Sequence, residues 1–298
     1  MSSLRVLDCH HHFWHPKDDN HPWLCRRPLI PFRYGDYSAI CKPFMPPDYD
    51  EAAKEWQVVA TVTMEGEWNP VDPVGELRWM HELRESSGRP QAHAAQIWLD
   101  RDDVSTVLEQ TATFSFVRSL RQKPRVHDKP GQGLSSMNEP AFVDGFKQLS
   151  KYGLHFELQT PWWHLPEALD LARKDENTML IINHTGLPGD RTPESLSGWE
   201  AALRELAVLP QARLKISGLG EPDSAFTLDA NRDVILKAID IFGADRCMFA
   251  SNFPVDSLFV DFNSLYSTFD KITADFTDTE RDQLFCSNAA DVYRVALD

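Results

Sequence analysis

The chain has 298 residues, of which 42% are hydrophobic, and its formal net charge at pH 7 is −15. This length is sufficient for a large buried core, and the sequence contains no apolar run of about 18 residues or more that would cross a membrane. A negative charge of this size repels nucleic acid and anionic lipid, so a small molecule is the expected partner. The five cysteines are scattered with no CxxC pair, and the N-terminus has no apolar signal segment, which predicts free thiols and a cytoplasmic protein.

Apolar, β-branched segments alternate with segments of helical periodicity. Predicted strands cover residues 6–10, 58–64, 92–98, 114–120, 154–158, 179–183, 213–217 and 246–250. Predicted helices cover 73–86, 103–111, 140–151, 165–174, 193–207 and 229–242, and a last helix opens at Thr277. Eight strand–helix units indicate the α/β class and a single (β/α)8 TIM barrel over 1–298. The competing fold is an open doubly wound sheet, but no Gly-rich phosphate loop follows the first strand.

The first predicted strand leads directly into a run of histidines. Alternation along a strand places Asp8, His10 and His12 on one face, with Cys9 and His11 on the other. Two imidazoles at positions i and i+2 of a strand end can converge on one metal ion or one substrate. The alternative is a surface histidine run or the remnant of a tag.

A long proline-rich segment, residues 15–50, follows this strand without a clear helix. In a barrel it would lie over the mouth at the carboxyl ends of the strands, where long ordered loops are usually functional. The alternative is a loop that serves packing only.

Active sites of barrel enzymes lie at the carboxyl ends of the strands, so the polar residues that close each strand are the candidates. They are His10 and His12, Glu65, Arg118 and Arg121, Glu157 and Gln159, His184, Lys215 and Ser217, and Asn252.

Three imidazoles and a carboxylate on one rim suit a divalent ion such as zinc. We predict His10, His12 and Glu65 as metal ligands. Glu65 could instead be solvated or paired with an arginine, and His184 could be hydrogen-bonded structure.

Arg118 and Arg121 are candidates for binding a substrate carboxylate, because a guanidinium binds a carboxylate through two parallel hydrogen bonds. The two arginines are three residues apart, so both reach the mouth only if the strand ends near Ser119. Otherwise they are surface charges.

The run Asp8-Cys9-His10-His11-His12-Phe13-Trp14 resembles the Asp-x-His-x-His-Phe-Trp opening of the amidohydrolase-related (amidohydrolase 2) family of TIM-barrel hydrolases. The resembling branch includes sugar lactonases and 2-pyrone-4,6-dicarboxylate lactonases. Further matches follow in the family's order and cover essentially the whole chain: residues 117–122, Asn183-His184-Thr185-Gly186, Lys215-Ile216-Ser217-Gly218-Leu219, 249–254 and 284–293.

The resemblance implies a (β/α)8 fold and hydrolysis of a C–O or C–N bond in a small carboxylated or sugar-derived molecule. It implies that His10, His12 and His184 line the site and that Arg118 and Arg121 meet the substrate's carboxylate. Members of the family differ in whether they need a metal and in whether they are monomers or dimers, so a homodimer is one expected state.

The eighth-strand motif departs from the family. The usual Ser-Asp-Trp-Pro supplies an aspartate that activates water, whereas this chain has Asn252. An amide cannot take a proton, so Asn252 can only position or coordinate. Asp256, four residues on, is the favoured base, with Glu65 and a neutral His184 or His12 as alternatives.

The sequence therefore predicts a hydrolase, most specifically a lactonase acting on a small carboxylated or sugar-derived lactone. It would use zinc or another divalent metal, or follow a metal-free route, and Trp14 and Trp68 would contact the substrate. An amide hydrolase or a decarboxylase of the same superfamily is one alternative. The other is a barrel that has lost catalysis and binds a ligand.

Overall fold

The computed structural model describes residues 4–222 and 224–297. Eight parallel strands form one sheet, and each strand pairs with the next along the chain. They are β1 (Arg5–His11), β2 (Gln57–Met64), β3 (Ala92–Gln96), β4 (Val117–Gln122), β5 (His155–Leu158), β6 (Leu180–Ile182), β7 (Ala212–Ile216) and β8 (Cys247–Phe249).

Helices separate the strands. They are α1 (Pro22–Cys25), α2 (Pro46–Ala53), α3 (Gly75–Ser87), α4 (Val104–Ala112), α5 (Pro140–Phe146), α6 (Leu165–Ala172), α7 (Pro193–Leu206), α8 (Leu228–Phe242), α9 (Phe262–Ile272), α10 (Asp278–Asp282) and α11 (Asn288–Tyr293). Short 3₁₀ turns include Ser38–Ile40, Leu149–Tyr152, Trp162–His164, His184–Gly186 and Val255–Leu258. Among the described residues, no helix is both long and apolar enough to cross a membrane.

The two ends of the sheet meet next to the site. The Asn252 amide donates to the His10 carbonyl, and the His12 amide donates to the Phe253 carbonyl, each at 2.7 Å. These bonds join the carboxyl end of β1 to the segment after β8. The predicted (β/α)8 TIM barrel is therefore confirmed.

Apolar packing occurs on both sides of the barrel wall. A large cluster of buried hydrophobic side chains fills the space between the strands and the surrounding helices. A second cluster joins Leu7 and Met248 of the strands to Ala289 and Val292 of α11. The C-terminal helix thus packs against the barrel's own apolar residues.

The mouth segment, residues 15–45, is held at both ends. Trp14 and Phe44 form an antiparallel bridge, with N···O distances of 3.1 and 2.9 Å. Within the segment, Leu24 and Tyr37 are buried together with Val255, which follows β8. The segment lies over the mouth as predicted. The prediction of no clear helix in residues 15–50 is wrong at two places, because α1 lies inside the segment and α2 starts at Pro46.

Candidate active site

A cavity of about 260 Å³ lies at the carboxyl ends of the strands. Seven of the residues singled out from the sequence line it: His12, Trp14, Glu65, Arg121, Gln159, His184 and Asn252. The mouth segment covers it with residues that include Trp23, Phe32 and Arg33.

The three predicted imidazoles form a cluster. The His10 ring centroid lies 5.4 Å from that of His12 and 4.5 Å from that of His184. Burial lowers the pKa of each imidazole well below the ordinary value of 6.5, so all three are neutral at pH 7.

His12 is fixed in one tautomer. Its Nδ1 lies 3.0 Å from the backbone carbonyl oxygen of Glu65. A carbonyl oxygen only accepts, so Nδ1 carries the proton and Nε2 keeps its lone pair. The ring also stacks on Trp14, with centroids 5.5 Å apart. His12 therefore lines the cavity as an oriented, neutral proton acceptor.

His10 is fully buried, and neither of its ring nitrogens has a hydrogen-bond partner in the described part of the chain.

The prediction that Asp8 shares a face with His10 and His12 is wrong. The pairing of β1 with β2 shifts register between Asp8 and His11, and such an irregularity resets the alternation of side chains. Asp8 instead bonds the Tyr49 hydroxyl at 2.8 Å, and the His11 ring also packs on Tyr49.

Glu65 is paired with an arginine, which was the alternative to its metal-ligand role. Its Oε1 lies 2.5 Å from Nε of Arg121, and both side chains are 3% exposed. Burial by itself would raise the pKa of the Glu65 carboxyl, but the Arg121 charge holds this pKa below the ordinary value. The second carboxylate oxygen accepts from the Glu67 amide at 2.6 Å.

The predicted metal ligands are His10, His12 and Glu65. The described residues contain no group of three or more His, Cys, Asp or Glu side chains placed so as to hold a metal ion. The donors His10, His12 and Glu65 therefore do not fit a metal ion in this arrangement, because the Glu65 carboxylate is held by Arg121.

Asn252 lines the cavity and Asp256 holds it. The Asn252 Nδ2 donates to Asp256 Oδ1 at 2.7 Å, which leaves the Asn252 Oδ1 as an acceptor. Asp256 is fully buried and is not among the residues that line the cavity. Burial raises the pKa of the Asp256 carboxyl to about 7, against the opposing effects of the Asn252 hydrogen bond and the Arg33 charge. Asp256, predicted as the base, is thus placed to orient Asn252.

Three cations line the cavity: Arg33, Arg121 and Lys123. Arg121 pairs with Glu65, and Lys123 pairs with Glu67. Arg33 has no carboxylate partner among the described residues. Its guanidinium lies 4.1 Å from the Tyr34 ring centroid and donates to the Gly218 carbonyl at 3.3 Å. Desolvation of the guanidinium by the surrounding protein lowers the pKa of Arg33 to about 10, although the residue as a whole is exposed, so Arg33 remains charged at pH 7.

Arg118 lies elsewhere, and its predicted place at the mouth is wrong. β4 continues to Gln122, so residues three apart face opposite sides. The Arg118 Nε donates to the Tyr293 carbonyl at 3.1 Å, on the side of α11. Trp68 also does not line this cavity; its ring packs against His21 and Trp79, and it borders a neighbouring cavity.

Several lining residues carry unusual backbone angles. Glu67, His184 and Asn252 have φ values of +56°, +51° and +55°. This left-handed region is uncommon for residues other than glycine, and such strain clusters at functional sites.

Sequence reasoning missed two cations of the cavity. Lys123 lies two residues beyond Arg121, and alternation along β4 could have placed both on one face. Arg33 lies in the irregular mouth segment, where no periodicity predicts the direction of a side chain.

Comparisons with known proteins agree with this fold. An uncharacterized protein, y4mH, of Sinorhizobium fredii is 35% identical over 99% of this chain and 100% of its own length. The L-fucono-1,5-lactonase of Burkholderia multivorans is 23% identical over 98% of this chain and 97% of its own. A solved amidohydrolase of the same organism with bound zinc has a TM-score of 0.82 at 22% identity, covering 98% and 99% of the two chains.

The barrel with a polar site at the carboxyl ends of its strands is the architecture of a TIM-barrel enzyme. The amidohydrolase family model matches residues 7–295. The chain therefore belongs to this amidohydrolase family, which confirms the family and the class of enzyme, a hydrolase, predicted from the first-strand motif.

Proposed function

We propose that the protein hydrolyses a small lactone, carboxylated or sugar-derived, in the cavity between β1, β6 and the mouth segment. The observation that carries the proposal is the fixed tautomer of His12, whose Nε2 lone pair is the base. The L-fucono-1,5-lactonase relative supports the choice of lactones as substrates.

The chain's own residues supply each part of the reaction. Asn252 Oδ1 accepts a hydrogen bond from the attacking water, because Asp256 holds the other end of the amide. His12 Nε2 takes a proton as the water oxygen bonds to the lactone carbonyl carbon. The ring C–O bond then breaks, and protonated His12 returns the proton to the leaving alkoxide. The product is a hydroxy acid.

Arg33 would hold the substrate's anionic group. It is the cation in this cavity without a carboxylate partner among the described residues, and a guanidinium binds carboxylates through paired hydrogen bonds. Arg121, predicted for this role, is neutralised by Glu65 and serves to fix that carboxylate.

His12→Gln tests the proposal on a panel of sugar and carboxylated lactones. We expect kcat to fall by roughly 10²- to 10⁴-fold with a small change in KM, because general bases contribute about that much. His81→Gln, an exposed histidine on α3, is the matched control and should behave as wild type. Equal kcat values for wild type and His12→Gln would refute the role of His12.

Zinc binding is an alternative to this mechanism, because zinc held by His12 would occupy the Nε2 lone pair that otherwise serves as the base. A solved neighbour has bound zinc, and the two buried His10 nitrogens lack partners among the described residues. Binding by His10, His12 and Glu65 requires the Glu65–Arg121 pair to open. The test is elemental analysis of untagged protein and of His10→Ala. Near-stoichiometric zinc that falls in the variant supports the site, whereas wild type purified without chelator and free of metal overturns it.

A further inference from the structure

A second cavity, of about 340 Å³, adjoins the first. Trp23, Ile30 and Glu67 line both cavities, so the two are neighbours that share these residues. The second cavity adds Trp68 and Trp98 to its wall. Three half-buried tryptophans therefore border one space beside the candidate active site.

Each of these rings is held from outside the cavity. The Trp23 Nε1 donates to the Gly66 carbonyl at 2.8 Å. Trp68 stacks on Trp79, with centroids 6.1 Å apart. The Arg101 guanidinium lies 5.7 Å from the Trp98 ring. Rings that are already fixed lose little conformational entropy when a ligand binds.

The charged side chains of this cavity are paired with residues outside its wall. Arg26 forms an ion pair with Asp19, and Glu67 forms one with Lys123. Gln96 retains a buried Oε1 without a hydrogen-bond partner among the described residues. A second sugar ring would present several hydroxyl groups to a wall with few free partners, which is unfavourable. A flat apolar ring meets no such cost.

We propose that this second cavity binds an aromatic ring attached to the substrate, so that the protein prefers aryl-substituted lactones. The reaction assumed is the lactone hydrolysis proposed above. The aryl ring lies against Trp23, Trp68 and Trp98, while the anionic group meets Arg33 in the first cavity. Aromatic pairs favour offset or edge-to-face contact, which three fixed tryptophans can supply.

The test measures binding without turnover. Phenylalkanoates with one to four methylene groups are titrated by calorimetry against alkanoates of equal chain length. We expect the phenyl group to lower Kd by roughly three- to tenfold, the range of one or two aromatic contacts. The gain should be greatest at one chain length, at which the ring and the carboxylate reach their cavities together. Phenylalkanoates that bind no more tightly than alkanoates would overturn the proposal.

Variants locate the ring. Trp98→Ala and Trp68→Ala should each remove most of the phenyl gain, and Trp98→Phe should keep much of it. Trp163→Ala is the matched control; this tryptophan donates to the His127 carbonyl and lines neither cavity. A phenyl gain that survives both alanine variants, or glucuronate binding with the same dependence on Trp98, refutes an aromatic site.

These titrations, compared with turnover on the panel of lactones, separate the aromatic site from the proposed function. If the protein binds phenylalkanoates tightly but hydrolyses no lactone, the aromatic site is supported and the proposed lactone hydrolysis is refuted. If the protein hydrolyses simple lactones and shows no preference for aryl groups in Kd or in kcat/KM, the proposed lactone hydrolysis is supported and the aromatic site is refuted.

Discussion

The position of the His184 ring depends on the absence of a side chain at Gly218. Gly218 has φ +61°, and a Cβ built there would lie 2.7 Å from Cγ and Nδ1 of His184. The same imidazole is within 3.1 Å of the Ser217 hydroxyl. The sequence shows only a glycine two residues after β7, whereas the structure shows that this glycine leaves room for the His184 ring.

Gly218→Ala should therefore displace His184 and lower kcat by on the order of 10- to 100-fold, the cost of misplacing an active-site group by about 1 Å. Steady-state kinetics measure this. Gly88→Ala is the control, because Gly88 has φ +75° with no atom within 4 Å of the added Cβ. If both variants lose stability equally and neither loses kcat, His184 has no role in turnover.

Asp256 predicts a pH dependence of stability. Its pKa is about 7 in the fold because of burial, against about 3.9 in an unfolded chain. Between these values the folded protein keeps a proton that the unfolded chain releases, so the free energy of unfolding falls as pH rises from about 4 to about 7. The stabilising contribution of the Asp256 proton is complete below the unfolded-state pKa of about 3.9 and is lost above the folded-state pKa of about 7.

Asp256→Asn removes this proton and its linkage. Relative to wild type, the variant should gain stability as pH rises, by at most about 4 kcal/mol between pH 4 and 8. Urea denaturation of both proteins at pH 4 and 8 measures the gain. Parallel changes in the two proteins would show that Asp256 does not hold a proton at neutral pH.

At the scale of elements, the boundary of β4 decides which of its two arginines reaches the cavity. β4 contributes Arg121 to the cavity but turns Arg118 towards Tyr293. The predicted strand 114–120 ended two residues before the observed β4, which runs to Gln122. This small difference in boundary decides which face each arginine occupies, because side chains alternate along a strand.

Arg33→Gln should raise KM for carboxylated lactones by about 10- to 100-fold and leave neutral lactones nearly unchanged, since a charged hydrogen bond contributes about 1.5–3 kcal/mol. Arg118→Gln is the matched substitution on β4, and its KM should equal that of wild type. A larger KM effect at Arg118 than at Arg33 would restore the sequence-based assignment and reject the one made from the structure.

At the scale of the whole molecule, the barrel encloses an ion pair that the site does not use. Lys215 Nζ lies 2.9 Å from Glu157 Oε2, and both side chains are fully buried. Glu157 also accepts from Asn183 at 2.6 Å and from the Tyr293 hydroxyl of α11. The pair thus links β5, β6, β7 and the C-terminal helix.

Lys215→Met leaves the Glu157 charge without its cation and should cost about 3–5 kcal/mol of unfolding free energy. Lys54→Met, at a surface pair with Glu51, is the matched control and should cost less than about 1 kcal/mol. Chemical denaturation compares the two. A loss of similar size in both variants would mean that the interior pair contributes no more to the free energy of unfolding than a surface pair.

The predicted homodimer is a separate property of the whole molecule, and analytical ultracentrifugation measures it.

The sequence by itself determined the order of strands and helices, the barrel, the family and the clustering of His10, His12 and His184. The order of elements and the barrel follow from periodicity, and the family follows from sequence motifs. The clustering follows because the carboxyl ends of parallel barrel strands meet at one rim. The tertiary structure decided that Glu65 pairs with Arg121, that Asp256 holds Asn252, and that Arg33 rather than Arg118 meets the cavity. Each of these contacts depends on where a strand ends or on the path of a loop, and local pattern does not specify such geometry.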